Sequence, residues 1–130
     1  MTRALPASRK GEYDQAIAEF SEAIRLDPKD ALAYTARGNA YDKKGEYDQA
    51  IADYTEAIRL DPEYFGTYNN RGLTYNSRGE YDKAIADFNE AIRLDPTSPK
   101  PYLGRAKAHR ASGDEDKAAS DEQRAKELSK

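Results

Sequence analysis

Gly45–Pro62 reads "GEYDQAIADYTEAIRLDP", and two near-copies flank it: "GEYDQAIAEFSEAIRLDP" at Gly11–Pro28 and "GEYDKAIADFNEAIRLDP" at Gly79–Pro96. Any two of the three agree at 15 of 18 positions. Gly11, Gly45, Gly79 and Gly113 follow one another at intervals of 34 residues, as do Pro28, Pro62 and Pro96. A fixed period of this size is the signature of stacked repeats, in which each unit buries apolar surface that it shares with its neighbours.

Each period reads as two helices. Asp30 is placed to cap the stretch "ALAYTARGNAYDKK", where Ala31, Tyr34, Gly38 and Tyr41 recur at helical spacing. Gly45 has the position of a left-handed C-terminal cap. The second stretch puts Tyr47, Ala50, Ile51, Tyr54, Ala57 and Ile58 on one face, and Asp61-Pro62 stops it because proline cannot continue a helix and turns its predecessor away from helical angles. Gly38, Ala50 and Ala57 mark where two helix backbones approach; Tyr34, Tyr41 and Tyr54 fill the space around them.

Bulk composition narrows the class. The 130 residues carry a net charge of -3, with 35% charged and 38% hydrophobic residues, which suits thin helical layers with much wetted surface. No overall basic field gathers phosphates, so nucleic acid is not the expected partner. The chain has no cysteine, so disulfides, thiolate chemistry and Cys-ligated metal are excluded. No apolar run approaches the roughly 20 residues that cross a bilayer, and "MTRALPASRK" lacks the apolar segment of a secretory leader. No membrane partner and a cytoplasmic location are the expectation.

The 34-residue helix-turn-helix period, with Tyr34, Gly38, Tyr41, Ala50, Tyr54, Ala57 and Pro62 in one unit and Tyr68, Gly72, Tyr75, Ala84, Phe88, Ala91 and Pro96 in the next, resembles the tetratricopeptide repeat (TPR) family over about residues 11–130. The resemblance implies an all-α fold, a right-handed superhelical solenoid of antiparallel helix hairpins with about three and a half units. It divides one domain, 1–130, into a partial first repeat at 11–30, repeats at 31–64 and 65–98, and a C-terminal repeat at 99–130.

Two units depart from the pattern. Only ten residues precede Gly11, Pro6 among them, against about fourteen for a full first helix. "TRALPASRK" therefore reads as the remnant of a first helix, left by truncation or decay of a longer array. A helix over 12–26 then keeps an apolar face, Tyr13 and Ile17 included, without cover, which makes self-association into a homo-oligomer through this N-terminal face the alternative reading of the chain. At the other end, Glu115, Ala119, Glu122 and Lys126 replace apolar positions of the earlier units, so 114–128 reads as a polar capping helix.

Arg37, Arg71 and Arg105 recur with the period, and Asp53, Asp87 and Asp121 follow them by sixteen residues. In an antiparallel hairpin these positions face each other, so structural Arg–Asp pairs are expected, the guanidinium fork meeting both carboxylate oxygens. His109, the one histidine, stands where Tyr41 and Tyr75 stand and reads as a packed aromatic. No nucleophile elbow, P-loop or metal-ligand spacing occurs. No catalytic residue, metal or cofactor is expected, and the chain does not read as an enzyme.

The resemblance further implies that the first helices line a concave groove. Its inward residues are expected to be Thr35, Ala36, Asn39, Asp42 and Lys43, then Asn69, Asn70, Leu73, Asn76 and Ser77, then Lys100, Leu103, Gly104, Lys107 and Arg110. Asn amides suit an extended peptide backbone, and the basic end suits a carboxylate, either an acidic side chain or a chain terminus. One branch of the family grips the acidic tail of heat-shock chaperones with two Asn and three basic residues. Asn39, Asn70 and Lys100 match that set; Thr35 and Gly104 depart from it. The expected function is a non-catalytic protein–protein interaction scaffold that binds an extended peptide or partner segment in this groove.

Overall fold

The computed structural model describes residues 7–130, with side chains from Arg9 onward. Among the described residues there are seven helices and no strand: α1 (Ala7–Leu26), α2 (Ala31–Lys43), α3 (Tyr47–Leu60), α4 (Phe65–Ser77), α5 (Tyr81–Leu94), α6 (Lys100–Ala111) and α7 (Glu115–Leu128). They fall into two compact bodies, Met1–Leu60 and Asp61–Lys130. In the first, α2 packs against both α1 and α3; in the second, α4 packs on α5, α5 on α6, α6 on α7, and α4 on α6.

Turn chemistry sets these boundaries. Gly45, Gly79 and Gly113 have φ of 82°, 77° and 89°, the left-handed region that only glycine enters without strain. At each, two bonds close the helix end. After α2, the Gly45 N–H donates to the Asp42 carbonyl and the Glu46 N–H reaches back to Tyr41 at 2.9 Å; Glu80 to Tyr75 and Asp114 to His109 repeat the longer bond. This is the Schellman pattern, and it satisfies carbonyls the helix end would otherwise orphan. Between hairpins, Asp27, Asp61 and Asp95 accept from the backbone N–H two residues on, folding the "DP" segments into turns. Asp30 caps α2 by accepting from the Ala33 N–H at 3.2 Å, as its position predicts, and Asp114 does the same for α7 through Lys117.

Gly11 behaves differently from its three equivalents. α1 runs through it without a break, so the expected first-helix remnant and second helix are one helix of 20 residues. Continuing the helix through Gly11 costs only about 1 kcal/mol for the glycine. Pro6 lies outside the described residues.

Within each hairpin the helices meet at aromatic-on-glycine crossings. A Cβ placed on Gly38 would lie 2.7 Å from the Tyr54 ring, and one on Gly72 would lie 2.8 Å from Phe88. Phe88 is fully buried and also closes on Gly104, whose Cβ would approach within 2.4 Å. One ring thus serves the crossing inside α4–α5 and the contact with α6, beside Ala84 and Ala108. Glycine at 72 and 104 is a packing requirement.

The arginines occupy the hairpin interiors. Arg37 donates from Nε and Nη2 to both oxygens of Asp53 at 2.8 Å, Arg71 grips Asp87 in the same way, and Arg105 grips Asp121 at 2.8 and 2.7 Å. The remaining fork nitrogen of Arg37 reaches Ser21 on α1, and that of Arg105 reaches Asn89 on α5. These polar residues stand sixteen positions before the arginine, so one guanidinium ties its own hairpin to the preceding second helix. Burial is the largest influence on Arg71 and opposes its charge, yet Asp87 still holds its pKa above the ordinary arginine value; the same burial pushes the Asp87 carboxyl up.

Candidate peptide-binding groove

In the C-terminal body α4 and α6 lie side by side because Gly72 and Gly104 let both backbones close on Phe88. The Asn76 amide nitrogen locks this arrangement by donating to the Gly104 carbonyl at 3.0 Å. Between the two helices an open cleft of about 310 Å³ is lined by Asn69, Leu73, Lys100, Leu103, Gly104 and Lys107. Every one of these residues belongs to the groove expected from the sequence. Leu73 is 44% exposed and Leu103 53%, so two leucines present bare side chains at one place instead of being scattered. Lys100 and Lys107 are exposed and have no carboxylate partner among the described residues. Asn69 is only 6% exposed, and its Oδ1 is buried without a hydrogen-bond partner among the described residues.

The other expected groove residues have varied fates. In the N-terminal body, Asn39 and Lys43 are exposed on α2, and Asn39 Oδ1 accepts from the Tyr54 hydroxyl at 2.6 Å, which orients the amide. Asn70 on α4 is half-buried. Three expectations need correction. Thr35 is buried and donates to the Ala31 carbonyl one turn back. Asn76 is buried as the tether just described. Arg110 does not offer a free charge: its guanidinium meets Glu122 through two 2.8 Å bonds and Glu115 at 3.0 Å, both on α7, and these carboxylates hold its pKa above the ordinary arginine value. The basic end of the groove therefore reduces to Lys100 and Lys107.

The uncovered face of α1 also lies elsewhere than expected. Tyr13 and Ile17 are half-buried, as are their equivalents Tyr47 and Ile51 on α3 and Tyr81 and Ile85 on α5. The loss of cover falls on Ala16, Phe20 and Ala23. Each is half-buried, whereas Tyr54 and Phe88, the counterparts of Phe20, are 1% and 0% exposed. These are the positions that meet a hairpin's own first helix, the one α1 lacks among the described residues. α1 is instead held to α2 from one side, with Asp14 paired to Lys44.

Two further clefts have lesser claims. One, of about 400 Å³, sits at the turn residues Gly79–Lys83 beside Ser112. The other, of about 370 Å³, runs along α5, α6 and α7 and is lined by the Arg105–Asp121 pair, with His109 Nε2 at 3.9 Å from the same carboxylate. Among the described residues no three His, Asp or Glu side chains gather to hold a metal, and no helix is long and apolar enough to cross a membrane.

Comparison with known proteins bears on this geometry. The tetratricopeptide repeat pattern matches residues 35–99, half of the chain, and a second TPR repeat pattern matches residues 9–45. The chain belongs to the tetratricopeptide repeat family. No curated protein matches it. Among solved structures it is similar to MamA, with 31% identity over 90% of this chain and 68% of that one, at a TM-score of 0.85. It is also similar to the first TPR of Spaghetti (RPAP3) bound to the HSP90 peptide SRMEEVD, with 33% identity over 78% and 81% of the two chains and a TM-score of 0.75. The Arabidopsis OM64 TPR domain shares 28% identity over 75% and 81%, at a TM-score of 0.74. The fold is thus an all-α TPR solenoid. In TPR terms the conserved-looking second helices α3 and α5 form the scaffold, while the cleft is built from the less repetitive first helices α4 and α6.

Proposed function

We propose that this chain is a non-catalytic protein-interaction scaffold that binds an extended peptide segment along the first helices of its C-terminal body, α4 and α6. The observation that carries this reading is the α4–α6 cleft, where Leu73 and Leu103 stand exposed between two lysines that have no acid partner. Exposed apolar side chains rimmed by unpaired charge are what a peptide site needs before its ligand arrives. A relative solved with a bound peptide supports the kind of ligand, although its SRMEEVD segment is not the natural choice here. The five-residue grip on an acidic chain terminus is incomplete in this chain: Thr35 is buried and Gly104 brings no side chain. Peptides selected from a display library serve as probes. The double substitution Asn70→Ala, Lys100→Ala is expected to weaken the selected peptides by tenfold or more, since each lost polar contact is worth about 1 kcal/mol. Undiminished binding by the double variant sinks the groove reading.

A second reading, self-association, is favoured by the half-exposed Phe20 on α1. Sedimentation velocity over a wide concentration range decides it. The reading expects a mass that rises with concentration and reverts to the monomer with Phe20→Glu; a monomer throughout excludes it.

A further inference from the structure

We infer that the α4–α6 cleft takes an internal segment of a partner protein, in which one leucine-sized apolar side chain lies between two acidic residues three positions apart. This rests on the groove reading above and specifies its ligand. Three features of the cleft carry it. The first is apolar: Leu73 and Leu103 face the cleft half-exposed, with Gly104 in the wall between the lysines. The second is charge. Lys100 and Lys107 sit seven residues apart on α6, about 10.5 Å along the helix axis. A bound segment in polyproline II form advances about 3.1 Å per residue and returns to the same side every third residue, so carboxylates three residues apart span about the same distance on one side. Neither lysine is neutralised by an acid among the described residues, whereas neighbouring Arg110 is fully engaged by Glu115 and Glu122. The charge left for a ligand is therefore confined to the two ends of the apolar slot.

The third feature is the wall of the cleft, to which the Asn69 side chain contributes while its amide oxygen stays buried without a donor among the described residues. A hydrocarbon offers no charge to the lysines and a bare anion offers nothing to the leucines, which is why the ligand is a peptide. Because Gly104 replaces the basic residue expected to hold a chain terminus, the segment needs no free carboxylate.

The test uses peptides acetylated at the N-terminus and amidated at the C-terminus. One carries the core Glu-Leu-Ser-Glu, a second has Gly for Leu, and a third has Gln for both Glu residues. Each is titrated into the full chain by fluorescence anisotropy. The first is expected to bind, and the Gly and Gln forms to bind at least about tenfold more weakly, the loss that follows from one leucine side chain left in water or two ion pairs removed. Leu73→Ser with Leu103→Ser, both at exposed sites, should weaken the first peptide by a similar factor while leaving the thermal midpoint unchanged. The inference is overturned if the Gly peptide binds within twofold of the Leu peptide, if none of the three binds, or if a free C-terminal carboxylate is required. A library-selected peptide that contacts the cleft without acidic residues also overturns it, and leaves the broader groove reading standing. Retention of the Leu peptide by the double-Ser variant overturns both.

Discussion

Asp87→Ala is expected to lower the unfolding free energy by about 3–5 kcal/mol, the usual result of removing one partner from a buried ion pair. The Asp87 carboxylate is 7% exposed and receives two 2.8 Å bonds from Arg71, which is itself largely shielded. Without the carboxylate the guanidinium stays largely shielded and loses both of these bonds. Asp53→Ala and Asp121→Ala remove bonds of nearly the same length, but the loss should be smaller. Arg71 is the one arginine of the three for which burial outweighs every other single influence. Urea unfolding followed by circular dichroism measures the series. The double substitution Arg71→Met, Asp87→Leu should recover most of the stability, because a well-packed apolar pair avoids the desolvation that the ions suffer. If Asp87→Ala moves the midpoint no more than an exposed Glu→Ala does, the pair is not structural.

Phe88→Ala is expected to cost about 3–5 kcal/mol, through lost burial and the cavity left behind. The ring rests on Gly72 and Gly104, neither of which has a side chain to move into the space, and its other neighbours include the small Ala84 and Ala108. The same geometry predicts a non-additive pair. Gly104→Ala alone drives a methyl toward a ring 2.4 Å away and costs about 1–3 kcal/mol as overpacking. In a Phe88→Leu background that cost should shrink, since the two changes exchange volume at one point. Thermal unfolding of the four-protein cycle provides the check, and strict additivity contradicts the packing described.

What the sequence revealed was whatever is both local and periodic. The left-handed glycines, the Asp30 cap and the sixteen-residue Arg–Asp pairing follow from positions counted along one hairpin, and all appear as expected. The misreadings arise where a side chain answers to more than its own helix. A single-stripe reading of a first helix leaves Thr35, Asn69 and Asn76 facing water. α2 and α4 are each flanked by two helices of their own body, so further sides are buried and small polar residues fill them. Arg110 read as free because its partner Glu122 lies on another helix, at a position that an aromatic holds in the earlier units. The contacts of Arg37 with Ser21 and Arg105 with Asn89 were also missed. Their one signal is the backward spacing of sixteen, the mirror image of the spacing to the aspartates.

That spacing has a kinetic consequence. Each guanidinium joins a residue sixteen positions ahead, and those of Arg37 and Arg105 also reach one sixteen positions behind. The decisive contacts of each body are therefore of short range along the chain, and each closes a loop of similar length. Loop-closure entropy is then small and nearly equal at every step. Chains dominated by such local contacts fold on the microsecond-to-millisecond scale and can nucleate at whichever hairpin forms first. An arginine already fixed by its aspartate keeps a third donor in place for the adjoining helix, so each completed hairpin is a template on which the neighbouring one docks.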